Sequence, residues 1–72
     1  MDTDDAYIGR TYHDGIDGDY FKCFAGDEPG VLETYGSDTA DEARNAPGPD
    51  GGWVEIEQLR QRLDAHTFED VT

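Results

Sequence analysis

His13, Cys23 and His66 are the residues whose chemistry could, with an aspartate, support a metal centre or a triad. They offer the nitrogen, sulfur and oxygen donors that zinc accepts, but none stands in a close Cys-x-x-Cys or His-x-x-x-His pair. They also offer a thiolate nucleophile, a histidine base and a carboxylate to orient it. Cys23, however, lies within Tyr20-Phe21-Lys22-Cys23-Phe24, and flanking aromatics predict a buried, inert thiol. It is the only cysteine, so no disulfide forms within the chain. Asp14-Gly15-Ile16-Asp17-Gly18-Asp19 gathers three carboxylates in six residues and resembles a calcium loop in composition. It lacks the ligand spacing of an EF-hand. Its two Asp-Gly pairs predict a hairpin turn whose acids face water. Gly48, Gly51 and Gly52 are not followed by Lys-Ser or Lys-Thr, so no phosphate-binding loop is present. These residues predict a protein that is not an enzyme and carries no cofactor or bound metal.

Charge says more. Eighteen carboxylates face five basic side chains in 72 residues, for a formal net charge of −13. Residues 1–36 hold nine acids and two bases, and residues 37–72 hold nine acids and three bases. The excess is therefore spread along the chain, with no acidic tail and no basic patch. Direct nucleic-acid binding is disfavoured, because counterion release needs clusters of Lys and Arg. Two readings of the coat remain. One is adaptation to concentrated salt: at about 1 M the Debye length falls to roughly 3 Å and carboxylate repulsion nearly vanishes. The coat then holds water and loosely associated monovalent cations, a lever that halophiles use. Four Arg to one Lys, and twelve Asp to six Glu, resemble the composition of halophilic proteins. The other reading is mimicry of duplex DNA, which carries about one negative charge per 1.7 Å of axis. A mimic would inhibit a DNA- or RNA-binding protein, and its charge cluster would be Asp14, Asp17, Asp19, Asp27 and Glu28 at the hairpin ends.

Seventy-two residues make one small domain. No apolar run approaches the roughly 18 residues of a membrane helix. Met1-Asp2-Thr3-Asp4-Asp5 lacks the basic and apolar regions of a signal peptide. The expected location is the cytoplasm, or a particle assembled inside the cell.

The elements that must position these residues read as short strands followed by helix. Residues 1–5 are polar and read as a frayed end. Residues 6–35 predict a three-stranded antiparallel meander: Ala6–Tyr12, Asp19–Ala25 and Val31–Tyr35, joined by turns at the Asp-Gly pairs and at Pro29-Gly30. Residues 36–52 hold a short helix over Ala40–Ala46, capped by Thr39 with Glu42 at the capping-box spacing, and a Gly/Pro loop. Residues 53–65 give a brief fourth strand at Trp53 and a helix over Ile56–Ala65, whose Ile56, Leu59 and Leu63 form one apolar stripe. Residues 66–72 read as a tail anchored by Phe68 and Val71. The expected fold is α+β, a three- or four-stranded antiparallel sheet with the C-terminal helix on one face.

Alternation along the strands places large apolar groups on both faces, yet only one substantial helix is available to cover them. Either the short helix, the tail and Trp53 cover the second face, or that face meets a partner. Tyr12, Tyr20, Phe24 and Tyr35, with Trp53 in reserve, are the residues expected to form such a surface, since aromatics combine apolar area with a polar handle. The expected function is a non-catalytic, salt-adapted interaction module that binds a protein or a second copy. It would serve as an accessory or regulatory subunit, or as a minor component of an assembly such as a viral particle.

Overall fold

A computed structural model describes residues 6–72. The reading of residues 1–5 as a frayed end lies outside the described residues. The chain is α+β, with a five-stranded open antiparallel sheet and two short helices. Strands β1 (Thr11–Asp14), β2 (Tyr20–Ala25) and β3 (Val31–Ser37) form the expected meander. Helix α1 (Ala40–Arg44), β4 (Gly52–Glu55), α2 (Ile56–Asp64) and β5 (Phe68–Asp70) follow. The spatial order is β4-β3-β2-β1-β5, so β4 and β5 are the open edges.

Two expectations need correcting. The first strand begins at Thr11 rather than Ala6, because the chain turns at residues 7–9, where Gly9 takes a φ of 82°. Gly9 donates its N–H to the Cys23 carbonyl, and Arg10 donates to Tyr7 across that turn. The second correction concerns the tail. Residues 68–70 form a fifth strand, antiparallel to β1 with Tyr12 opposite Asp70 and Asp14 opposite Phe68, so α2 is not the last element. The reversal that makes this possible is a Schellman ending in which His66, with φ of 61°, takes the left-handed position usually held by glycine. Thr67 donates to the Arg62 carbonyl at 2.9 Å and His66 to Leu63 at 3.1 Å.

Register assigns the faces. Tyr12 stands opposite Phe21, Cys23 opposite Thr34, and Leu32 opposite both Ala25 and Val54. This face meets α2, and Tyr12, Cys23, Leu32, Ile56 and Leu59 form its core. Phe21 and Phe68 meet edge to face with centroids 5.1 Å apart, which fastens β5 to the same core. Thr11, His13, Tyr20, Lys22, Phe24, Val31, Glu33, Tyr35, Trp53 and Glu55 line the other face. Helix α1 covers part of it. Lys22 donates to the Arg44 carbonyl at 3.1 Å, and the Tyr35 hydroxyl donates to Glu42 at 3.3 Å. Thr39 caps α1 as expected by accepting from the Glu42 N–H, but Glu42 turns to Tyr35 instead of closing the capping box.

Candidate functional site

Topology separates His13, Cys23 and His66, the side chains considered for a triad or a metal centre. Cys23 lies in the core beneath α2 with no exposure, and burial pushes its thiol up to about 12. His13 projects from the opposite face, where its ring stacks on Tyr20 at 4.6 Å, and His66 is exposed at the end of α2. A thiol and an imidazole on opposite sides of a sheet cannot exchange a proton. Among the described residues, no group of three His, Cys, Asp or Glu is arranged to hold a metal ion.

The Asp14–Asp19 segment is a backbone device. Asp14 Oδ1 accepts from the N–H groups of Ile16 and Asp17, at 2.9 and 3.2 Å. The hairpin closes through Asp14 N–H to the Asp19 carbonyl and Gly18 N–H to the Asp14 carbonyl, each 2.8 Å, with Gly18 at φ 83°. Asp17 and Asp19 are exposed. Asp27 and Glu28 are exposed as well, but they occupy the β2–β3 turn. Successive turns of a meander lie at opposite ends of the shared strand. The six residues of β2 therefore separate the two groups by about 20 Å at roughly 3.3 Å per residue. The five acids do not make one cluster. Every described carboxylate other than the half-buried Asp14 and Glu33 is exposed, on both faces and on both helices.

The aromatic residues also separate. Tyr12 belongs to the α2 core, with 2% exposure, and burial raises its hydroxyl above the usual phenol range. It was expected on the partner face, but its register with Phe21 puts it on the other side, so it offers no contact surface. Tyr20, Phe24 and Tyr35 do share a face and are half-buried. Each already has a neighbour. Tyr20 has His13, Phe24 has the Lys22 ammonium 5.5 Å from its ring centre, and Tyr35 has Glu42. The Glu42 carboxylate, being negative, raises the Tyr35 hydroxyl above its ordinary value. Trp53 differs: it is 64% exposed.

Trp53 forms one wall of a groove of about 430 Å³, between β4 and the β2–β3 turn. Its register places it in the row Phe24, Glu33, Trp53, with Val31 opposite Glu55 in the next row. Asp27, Glu28, Glu33 and Glu55 line the groove with Trp53, so four carboxylates share it with an indole. The turn is held tightly: a Cβ on Gly26 would lie 2.5 Å from the Val31 carbonyl oxygen, a backbone atom that cannot step aside cheaply. Gly30, at φ 78°, returns the chain into β3, and its carbonyl accepts from Ile56 at the start of α2. This mixed groove was not legible beforehand, because it depends on the pairing of β3 with β4 across a 14-residue connection (38–51).

No family model, curated protein or solved structure matches the chain.

Proposed function

We propose that this chain is a non-catalytic interaction module with a salt-adapted surface, and that its contact surface is the sheet face bearing Trp53, with Phe24 in the same cross-strand row and Tyr20 farther along that face. The observation that carries this reading is the 64% exposure of a tryptophan on a sheet face that α1 covers only in part. A small protein with few large apolar side chains gains stability by burying an indole, and aromatic residues exposed on a concave surface are typical anchors of protein contacts. The dispersed, exposed carboxylates support solvent adaptation, since an even coat keeps the rest of the molecule soluble and leaves one adhesive region. Such a module acts as an accessory subunit or a minor component of a larger assembly. The acids at the two hairpin ends lie too far apart to imitate a continuous phosphate row, so nucleic-acid mimicry finds no support in their placement.

The test is site-specific photocrosslinking in the native cell. A photoreactive phenylalanine analogue replaces Trp53 in one variant and Gln61, exposed on α2, in another. The reading predicts a discrete protein adduct from position 53 and none from position 61. Equal adducts from both positions, or none from position 53, would count against it.

A further inference from the structure

Resting on that reading, we infer that the open edge of β4 takes an extended basic segment of a partner protein, added as a strand, with a Lys or Arg side chain reaching over that edge to the Trp53 indole.

Three features of the groove define this occupant. The first is the open edge. Ile56 donates its backbone N–H to the Gly30 carbonyl, so alternation turns Val54 toward β3 and directs the N–H and C=O of Trp53 away from the sheet. β4 ends the strand order, so those groups face outward at the open edge, on the side of Trp53 away from β3. An extended chain is the ligand that satisfies them, as in strand-addition recognition. The second feature is chemical. An indole flanked by Glu33 and Glu55, in a groove that Asp27 and Glu28 also line, joins a ring quadrupole to full negative charges, and both attract a cation. The same face already displays this chemistry, because the Lys22 ammonium lies over Phe24, the ring two strands from Trp53 in the same row. The third feature is the exclusion of a second copy. Another chain of net charge −13 would bring like charge to four carboxylates, whereas a basic segment complements them.

The register also fixes a pattern. On a strand added beside β4, the residue opposite Trp53 and the one opposite Glu55 point to the face that bears Trp53 and Glu55, and the residue between them points to the other face. The segment therefore carries basic residues at alternate positions. In concentrated salt long-range steering is screened to a few ångströms, so recognition depends on such direct contacts.

Nuclear magnetic resonance titration of the full chain with two synthetic peptides tests this. One alternates arginine and valine. The other has the same composition with its arginines in one block. The expected result is that the alternating peptide shifts the Trp53 indole signal and the amides of β4, and binds more tightly than the block peptide. Trp53→Ala should weaken it about tenfold, the loss of one desolvated cation–π contact. Trp53→Leu keeps apolar area without the ring quadrupole and should recover little. Amide spectra of both variants verify that the sheet persists. Shifts centred on the Asp14–Asp19 turn, or an affinity unchanged by Trp53→Ala, would overturn the inference. An alternating serine–valine peptide that binds as well at Trp53, or self-association through that face, would overturn the basic specificity while leaving the interaction module standing.

Discussion

Raising the salt concentration from about 0.1 M to about 1 M is expected to stabilise this fold by about 4 kcal/mol through screening alone. The chain carries a formal net charge of −13, and its folded radius of gyration is 11.0 Å. An equivalent sphere of about 14 Å bearing that charge in a water-like dielectric has a self-repulsion of about 10 kcal/mol at a Debye length of roughly 10 Å. At a Debye length of roughly 3 Å about 4 kcal/mol remains. The unfolded chain, with a radius of gyration of about 26 Å, already holds its charges apart and is relieved by less than ~2 kcal/mol over the same range. The difference accrues to the folded state. It is large beside the roughly 4–11 kcal/mol expected for the whole stability of a chain this long. Urea unfolding followed by circular dichroism in KCl is the appropriate assay, because urea leaves the ionic strength unchanged. A gain below about 1 kcal/mol, or a loss, would refute the argument that uniform self-repulsion governs this surface. About 4 kcal/mol of repulsion is still left to screen at about 1 M, so only a further gain larger than that at higher salt reports cation and water binding by the coat itself.

Other perturbations probe the scaffold. Leu59 is fully buried at the centre of the α2 core, so Leu59→Ala should cost about 2–5 kcal/mol and shift the urea midpoint sharply, whereas a surface change at Gln61 should not. His66→Gly should raise stability by about 1 kcal/mol, since it removes a side chain from a left-handed position at an exposed site. For Asp70, burial favours the neutral acid, but hydrogen bonds from Thr72 and the Arg10 guanidinium at 3.2 Å outweigh it and hold the carboxyl below its ordinary value. A depressed folded value contributes stability above the unfolded value, which is lost as pH falls through the folded one. Asp70→Asn should therefore be less stable than the parent at neutral pH. That gap should narrow below the usual carboxylate range, as pH-dependent urea titrations would record.

The meander and both helices were legible because their signals are local. Asp-Gly and Pro-Gly turns, the Thr39 cap and the Ile56-Leu59-Leu63 stripe each act within a few residues. β5 was not legible, since Phe68–Asp70 is three residues long with two acids, and the reversal before it uses His66 where glycine would have given a signal. The identity of the aromatic face was half legible. Alternation correctly groups Tyr20 with Phe24, but alternation within the first strand leaves open which side of the sheet Tyr12 shares, and only its pairing with Phe21 fixes that. The Trp53 groove required the register of β4 against β3, which is set by a long connection and by Ile56 bonding to Gly30. Charge was legible in amount but not in arrangement, because hairpin ends that look adjacent in sequence fall at opposite ends of the sheet.

Trp53 is the only tryptophan in the chain, so its fluorescence reports on the proposed contact surface without a label. Acrylamide quenching of Trp53 in the isolated monomer, and again in the complex with the partner that crosslinking identifies, is the most direct test. The interaction reading predicts red, readily quenched emission from the monomer and blue-shifted, shielded emission from the complex. Shielded emission from the monomer alone, or full access to quencher in the complex, would contradict it.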